Sequence, residues 1–527
     1  MAIKIPKIDE IPKEEQSPLI LALLETLNLL YEENQNLKDE IARLKGEKAR
    51  PEIKPSTLES PKRKKSKKDK KRPGSKKRAK TKKLEIHKTQ PIRPENLPPG
   101  STFKGYQDFY VQDLVIQPFN TLFKLERWET PDGKYLVGKL PAQIKNEHFG
   151  PDLKRFILYQ HYHAHVTQPL ILEQLRDLGV NISSGQINRI ITEGHDTFHY
   201  EKNAILTIGL SVSAYINVDD TGARHKGKNG YCTHIGNELF ATFHSTESKS
   251  RINFLEILRA GYNDYVINNE ALAYMASQGL PKPLVQQFAQ LAPSVLENQD
   301  QWHATLSSVQ IKSKRHYRIA TEGALIGSLY KHGFNPELVI VSDDAGQFNI
   351  LQHALCWIHA ERTINKLIGF TEEQIEAVDS VKSQIWTLYD QLKDFKINPS
   401  DCKRASIDAY FDEIFTQRTC FASLNQALRR ISANKSELLL VLKCPVIPLH
   451  NNLSENDIRE YVKRRKISGS SRSDLGRKCR DTFVSLKKTC RKLKVSFWEY
   501  LNDRITGTNT LPFLPDLIVL KAQAFFA

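Results

Sequence analysis

The chain has 527 residues, 40% of them hydrophobic, and a formal net charge of +17. This length predicts two to four domains with a sizeable core. Its seven cysteines include no C-x-x-C pair, which argues against a disulfide scaffold and against a zinc ribbon. The sequence holds neither an apolar run near the ~20 residues of a membrane span nor a signal-peptide pattern, so we expect an intracellular protein without a membrane partner.

Apolar residues recur with heptad spacing in the first region, residues 1–47. The a positions are Ile20, Leu27, Asn34 and Ile41, and the d positions are Leu23, Leu30, Leu37 and Leu44. Isoleucine at a, leucine at d and a single a-position asparagine favour a parallel two-stranded coiled coil. The alternative is an amphipathic helix that packs on its own chain. The pattern predicts a homodimer or a higher oligomer.

A basic linker follows at residues 48–100. Its segment 62–83 holds 15 Lys and Arg against one Asp, a net charge of +14. Such a block cannot bury apolar surface, so we expect it to be disordered alone and suited to binding a polyanion. Nucleic acid fits better than a membrane, because no amphipathic stripe accompanies the lysines. The alternative is a linker that only solubilises or targets the chain.

Two small regions precede the main domain. Residues 101–145 predict a small β module of short strands around a "PDG" turn. Residues 146–208 predict helices, and "LILEQLRDLGVNISSGQINRIITEG" (170–194) has a helix ending at Gly179, a serine cap and a second helix that exposes Gln186, Asn188 and Arg189. This arrangement resembles a helix-turn-helix, and it predicts DNA contact through Gln186 and Arg189. The alternative is a helical hairpin that only packs.

Residues 209–505 predict an α/β domain. An alternating strand runs into Asp219 and Asp220, "KNG" (228–230) suggests a hairpin turn, and two further strands follow. Much later, "ELVIVSDDAGQF" (337–348) has the near-continuous apolar run of a buried parallel strand and also ends in two aspartates, Asp343 and Asp344. Helical insertions are expected at about 251–335 and 370–447, with a C-terminal tail at 506–527.

The paired acids predict a metal site. Acids at the ends of neighbouring strands converge on one edge of a sheet, where divalent cations offset their repulsion. Hard oxygen ligands suit Mg²⁺ or Mn²⁺, and two such ions promote phosphodiester chemistry. A third acid is Glu455, which shares a helical stripe with Ile458 and Val462 and should face inward. The alternative is that Asn452 caps this helix and Glu455 completes a capping box.

The ordered set of segments resembles the DDE transposases of bacterial insertion sequences, above all insertion-sequence family sixty-six. The resemblance covers most of residues 16–510, including the leucine heptads and the basic linker. Its motifs are "FGPDLKRFILYQHYHAHVTQP" (149–169), the D-x-T strand end Asp219-Asp220-Thr221, "AGQF" after Asp343, "ALCWIHAER" (354–362), "NNLSENDIREYVKRRK" (451–466) and "VSLKKTCRKLKVSFWEYL" (484–501).

The resemblance implies an RNase H-like catalytic domain in which Asp219, Asp343 and Glu455 ligate two Mg²⁺ (or Mn²⁺) ions. Asp220 and Asp344 are substitutes within each pair. The implied activity is cleavage and strand transfer of double-stranded DNA, namely the terminal inverted repeats of the element and a target, in the bacterial nucleoid and with accessory element proteins. Cys356 and His359 of the family's Cys-x-x-His helix are interpreted as packing or DNA-positioning residues.

Basic residues beside the first and third acids predict phosphate contacts. They are Arg224, Lys226, Lys228, Lys463, Arg464, Arg465 and Lys466. The alternative for each is an ordinary solvated face. For the whole chain, the alternatives are an RNase H-like, structure-specific DNA nuclease without strand transfer and a catalytically decayed DNA-binding protein.

Overall fold

The computed structural model describes residues 85–141 and 148–526, together with some positions between 17 and 33. The basic segment 62–83 and the heptad positions from 34 onward lie outside the described residues. The described positions from 19 to 33 are helical, and the Ser17 hydroxyl accepts a hydrogen bond of 3.3 Å from the Ile20 amide, as an N-cap residue does. Leu23 and Leu30, both at d positions, each expose about half of their surface.

Contacts divide the chain into two units, residues 55–119 and residues 1–54 with 120–527. The described part of the first unit, residues 85–119, contains neither a helix nor a strand. In the second unit, strands β1 Arg127–Glu129 and β2 Tyr135–Val137 form an antiparallel hairpin around the predicted "PDG" turn. The strands expected elsewhere in 101–145 are absent from its described residues, because no second segment there supplies a pairing partner.

The rest of the second unit is mixed α/β and mostly helical. Its strands are β3 Tyr215–Gly222, β4 Tyr231–Gly236, β5 Ala241–Thr246, β6 Tyr265–Ile267, β7 Ser294–Leu296, β8 Val339–Ser342 and β9 Gln352–Leu355. Its α-helices are α1 Pro151–Leu158, α2 Gln168–Asp177, α3 Ser184–Thr192, α4 Asp196–Val212, α5 Arg251–Leu258, α6 Asn269–Ser277, α7 Lys282–Leu291, α8 Gln299–Ser308, α9 Lys314–Lys331, α10 Trp357–Asn365, α11 Glu372–Ile397, α12 Asp401–Thr416, α13 Ala422–Ala433, α14 Lys435–Leu438, α15 Asn452–Ser468, α16 Asp474–Lys492, α17 Phe497–Thr506 and α18 Leu514–Phe525. A π-helical turn spans Tyr159–His163, and a 3-10 turn spans Leu440–Leu442. None of the described helices is both long enough and apolar enough to cross a bilayer.

The central sheet has the strand order β5-β4-β3-β8-β9. Strands β3, β4 and β5 are antiparallel, whereas β8 runs parallel to β3, and β9 runs parallel to β8. The β3–β4 hairpin turns at Lys226 and Gly227, whose φ angles of 48° and 78° both lie in the left-handed region typical of tight hairpins. The turn expected at 228–230 is therefore displaced by two residues.

Helix α16 covers the outer edge of β5. The amides of Ala241, Phe243 and Ser245 donate to Thr489 Oγ1 (3.2 Å), Ser485 Oγ (2.9 Å) and Asp481 Oδ2 (2.8 Å). Four residues of helix advance about 6 Å and two residues of strand advance about 6.8 Å, so one face of the helix meets every outward amide. These bonds satisfy donors that an edge strand otherwise leaves open.

The C-terminal tail expected at 506–527 is a packed helix instead. Leu514, Ile518 and Ala522 of α18 are buried at four-residue spacing, and the Leu514 amide donates to Glu201 Oε1 on α4 at 3.0 Å. The apolar stripe was present in the sequence and forms an amphipathic helix that needs a partner surface.

The first insertion forms a module of α5 to α9 with the two-stranded sheet β6–β7. Helix α9 is its buried centre. A Cβ at Gly327 would lie 2.2 Å from the Val266 carbonyl, so only glycine permits the close approach of α9 to β6. The second insertion consists of α11 to α14 and the 3-10 turn.

Candidate active site

Asp219 and Asp343 lie at the same end of two adjacent parallel strands. The β3–β8 register pairs Asn217 with Val341, and each acid follows two residues later in its own strand direction. Asp219 is in β3 and Asp343 is the first residue after β8, so both acids lie at the C-terminal edge of the sheet. The paired strand ends therefore bring together acids that are 124 positions apart in the chain.

Asp219 experiences the negative charge of its neighbours. Burial, and after it the Asp343 carboxylate, raises the pKa of Asp219 to about 7. Asp220 and Glu455 act in the same direction, whereas the Asp220 amide, which donates to Asp219 Oδ1 at 2.7 Å, acts against them. Like charges must be close to raise a pKa in this way, so acids from β3, the loop after β8, and α15 converge.

Glu455 is in the first turn of α15 and faces inward. Its Oε1 is buried without a hydrogen-bond partner, 3.5 Å from Arg362 Nη1 and 3.8 Å from His359 Nε2. The N-cap position belongs to Asn451, whose side chain makes no capping hydrogen bond, and Asn452 is already helical. The capping-box alternative for Glu455 and Asn452 is therefore wrong.

The second aspartate of each pair has a different setting. Asp220 accepts hydrogen bonds from Thr233 Oγ1 (2.6 Å) and from Gln347 Nε2 (2.8 Å), one on each carboxylate oxygen. It thereby ties β3 to β4 and to the loop that carries Asp343. Asp344 is exposed. Each of these second aspartates therefore has surroundings different from those of Asp219 and Asp343.

Asn451 connects the start of α15 to the sheet, and sequence reasoning missed it. It is 1% exposed, accepts from Asn217 Nδ2 (2.9 Å) and donates to the Val218 carbonyl (2.7 Å), one residue before Asp219. Its amide donates to Cys356 Sγ at 3.2 Å. Burial raises the pKa of Cys356 to about 11, so the sulfur stays a thiol. The Cys-x-x-His helix thus contacts α15 through Cys356 and Glu455 through His359.

A second set of contacts fixes α15 on β4. His234, which is paired with Asp219 in the sheet, lies 2.5 Å from Ser454 Oγ and 3.2 Å from Asp457 Oδ2. Lys492 Nζ is 2.8 Å from the same carboxylate oxygen. Burial raises the pKa of Asp457, but His234 and the lysine charges from α16 outweigh it and hold that pKa well below its ordinary value. Glu455 is therefore positioned by two attachments of α15, namely Asn451 on β3 and the contacts of Ser454 and Asp457 with His234 on β4.

The basic residues of α15 divide into buried and exposed sets. Arg464 is 6% exposed and donates to the His161 carbonyl and to the His161 ring, so its assignment as a DNA-binding residue is wrong. Arg465 is half-buried and donates to the Gly222 carbonyl at the end of β3. Lys463 and Lys466 are exposed.

The hairpin after the first acid is basic and exposed. Arg224, Lys226 and Lys228 all face solvent, with Lys226 paired to Asp474 at 2.5 Å and Arg224 donating to the Gly227 carbonyl at 3.0 Å. Such exposed pairs contribute little energy and leave the cations available to a polyanion.

Helices α2 and α3 form the predicted pair with a turn between them. Ser183 caps α3 in a reciprocal capping box, in which Gln186 Oε1 accepts from the Ser183 amide at 3.2 Å. Gln186 is therefore half-buried and engaged locally, whereas Arg189 is exposed.

The donor set at the three acids consists of carboxylate oxygens, the ligands that Mg²⁺ and Mn²⁺ prefer. Within the described residues, no three or more His, Cys, Asp or Glu side chains stand close enough to hold a metal ion as they are placed. The buried Glu455 oxygen, which makes no hydrogen bond and lies beside the Arg362 and His359 side chains, and the raised pKa of Asp219 nevertheless mark a site where positive charge is favourable.

Two comparisons place the chain among known proteins. A family model described as "Transposase IS66 family" matches residues 317–478, a span that includes Asp343 and Glu455. The chain is also similar to "Uncharacterized protein y4jO" of Sinorhizobium fredii (strain NBRC 101917 / NGR234). The identity is 43% over 322 residues, which is 61% of this chain and 100% of the relative.

Proposed function

Because the chain belongs to the IS66 family of transposases, we propose that it cuts the ends of a bacterial insertion sequence and joins them to target DNA by a DDE mechanism. The observation that carries the proposal is the convergence of Asp219, Asp343 and Glu455, where burial first and then the neighbouring acids raise the pKa of Asp219 to about 7. A buried acid with a raised pKa at the edge of a sheet, beside two further acids, favours a functional site over a structural one.

The proposed catalytic domain is RNase H-like. The support is the sheet, in which three antiparallel strands are followed in space by two strands parallel to the first of them. Helix α15 adds the third acid, and the helical insertions fall between the sequence positions of the acids.

Two Mg²⁺ or Mn²⁺ ions would be held by Asp219, Asp343 and Glu455. When bound, they supply the positive charge that activates the attacking oxygen and stabilises the leaving oxygen of a phosphodiester. Asn451 and His234 hold α15 so that Glu455 faces the other two acids.

Exposed cations around these acids bind the DNA backbone. Arg224 and Lys228 on the hairpin, and Lys463 and Lys466 on α15, each neutralise a phosphate. Arg189 on α3 adds a contact from the helix-turn-helix-like region, and the basic segment 62–83 adds sequence-independent affinity. The leucine heptads make the active form a homodimer or a higher oligomer in the nucleoid, with accessory element proteins as further partners.

The test is a joining assay with Mg²⁺, labelled DNA carrying the ends of the element that encodes the chain, and a target plasmid. Asp219→Ala and Glu455→Ala are expected to abolish cleavage and joining while DNA binding remains measurable. Asp379→Ala, at an exposed aspartate of α11, is the matched control and should retain both. Unaltered joining by Asp219→Ala or by Glu455→Ala would refute the DDE mechanism.

The same assay separates the alternatives. Cleaved but unjoined products from the wild-type chain would identify a nuclease without strand transfer. Binding without cleavage would identify a decayed DNA-binding protein.

A further inference from the structure

The loop that carries Asp343 is attached to its surroundings on two sides. On the sheet side, Gln347 Nε2 donates to Asp220 Oδ2 at 2.8 Å. Within the loop, the Ala345 amide lies 3.3 Å from Asp343 Oδ1. The orientation of Asp343 therefore depends on how the short segment 344–347 is held.

On the other side, the loop is attached to the first insertion. Arg251 Nη2, at the start of α5, donates to the Gly346 carbonyl at 2.7 Å. Phe348, which is buried, packs edge-on against Phe254 of α5 with ring centroids 5.0 Å apart. A guanidinium on a backbone carbonyl fixes a direction as well as a distance, because its donors are rigid and planar.

Arg251 is itself held by two further residues of the insertion. Its Nη1 donates to Tyr274 Oη at 3.1 Å, and Tyr274 donates to Glu322 Oε2 at 2.7 Å. Glu322 is 2% exposed and lies 3.6 Å from Arg251 Nη1. Burial and Glu322 raise the pKa of Tyr274, so the hydroxyl keeps its proton and goes on donating to the carboxylate.

We propose that Arg251, Tyr274 and Glu322, together the arginine relay, are positioning residues that orient the Asp343 loop for divalent-cation binding. This inference rests on the proposed function, since it assumes that Asp343 is a metal ligand. It gives the first insertion a task beyond filling space: α6 and α9 hold α5, and α5 holds the loop through one guanidinium. The relay reaches the surface at Arg318, which is 3.6 Å from Glu322 with a side chain 60% exposed.

The variants are Tyr274→Phe, which deletes one hydroxyl from the relay, and Arg251→Lys, which keeps the charge but loses the planar fork. Two controls carry the same chemical changes elsewhere in the insertion. Tyr330→Phe on α9 matches Tyr274→Phe, and Arg259→Lys matches Arg251→Lys. Arg259 donates at 2.6 Å to the Asp264 carbonyl within the insertion rather than to the loop. Mn²⁺ alone is the probe for binding to the full chain, with unbound Mn²⁺ measured by electron paramagnetic resonance. The Mg²⁺ concentration for half-maximal joining is measured in parallel.

Outer residues that orient metal ligands change metal affinity by about 10–100-fold when they are replaced. We expect both relay variants to weaken Mn²⁺ binding about tenfold and to raise the Mg²⁺ requirement of joining by the same factor, with DNA affinity and the melting temperature close to wild type. Faster amide exchange at residues 344–347 should accompany the change. The two control variants should match the wild type.

Three results overturn the inference. Relay variants with wild-type Mn²⁺ affinity would show that the loop is oriented without them, whether or not their stability falls. Equal losses in the control variants would show a general packing effect. A wild-type chain that does not cleave element ends would overturn the proposed function itself, and with it the role of the relay.

Discussion

Asn451→Ala should loosen the attachment of α15 to the sheet. The substitution removes the hydrogen bonds of this side chain to Asn217 and to the Val218 carbonyl, while the backbone bond to Cys356 remains. Two neutral hydrogen bonds contribute about 1 kcal/mol each, and the buried partners left unsatisfied add a further penalty, so we expect the free energy of unfolding to fall by about 3 kcal/mol. An unfolding entropy of about 2.1 cal/mol/K per residue over roughly 380 residues converts this into about 4 °C.

Asn451→Ala should reduce the cleavage rate more strongly than its small fall in melting temperature suggests. A catalytic group misplaced by about 1 Å lowers a rate by as much as about 100-fold. Glu455, the proposed metal ligand, is only four residues after Asn451, so a shift of Asn451 should displace it. Thermal unfolding by circular dichroism and the cleavage rate with Mg²⁺ are measured together. Asn456→Ala, at an exposed position of α15, is the control and should change neither. Equal melting temperatures and rates for Asn451→Ala and Asn456→Ala would refute the anchoring role.

Other expected outcomes concern charge and the sheet edge. In EDTA, Asp219→Asn should raise the melting temperature at pH 8 but not near pH 4. The pKa of the wild-type carboxyl is about 7 in the folded chain against an ordinary value of 3.8, so folding takes up a proton between these pH values and stability falls as pH rises. If Asp219→Asn is no more stable than the wild type at pH 8, the Asp219 carboxylate is not destabilised by burial beside other acids. Arg464→Ala should lower the melting temperature because it leaves the buried His161 carbonyl without its donor. Lys466→Ala should leave the melting temperature unchanged and reduce the slope of log affinity for DNA against log salt by about 0.9. A reduced slope for Arg464→Ala with an unchanged melting temperature would show that Arg464 contacts DNA. Ser485→Ala should speed amide exchange at Phe243, at a cost of about 1–2 kcal/mol in stability, and unchanged exchange would show that α16 does not protect β5.

The acids were predictable because their signal is local. Alternating apolar residues before Asp219 and a continuous apolar run before Asp343 each indicate a strand that ends in a carboxylate, and two such strands in one sheet bring the acids together. Glu455 was predictable from its place on an apolar helical stripe. The family and the mixed α/β class followed from the order of these pieces.

The supporting contacts were not predictable, because they join residues far apart in the chain. Asn217 and Asn451 are 234 positions apart, and Arg251 and Gly346 are 95 positions apart. A single sequence contains no signal for such pairs. Arg464 is a different case, because helical periodicity places it on the buried face of Asp457 and Tyr461. A basic run on a packed helix must turn some of its cations inward.

The three oxygens that α16 presents to β5 also determine whether a further strand can add to this sheet border. A strand from another molecule would find the outward amides of Ala241, Phe243 and Ser245 already engaged, so this border of the sheet is closed to strand addition. Where copies of a protein are crowded together, open sheet borders recruit strands from neighbouring copies and feed aggregation. Here a single helix removes that hazard at the border formed by β5.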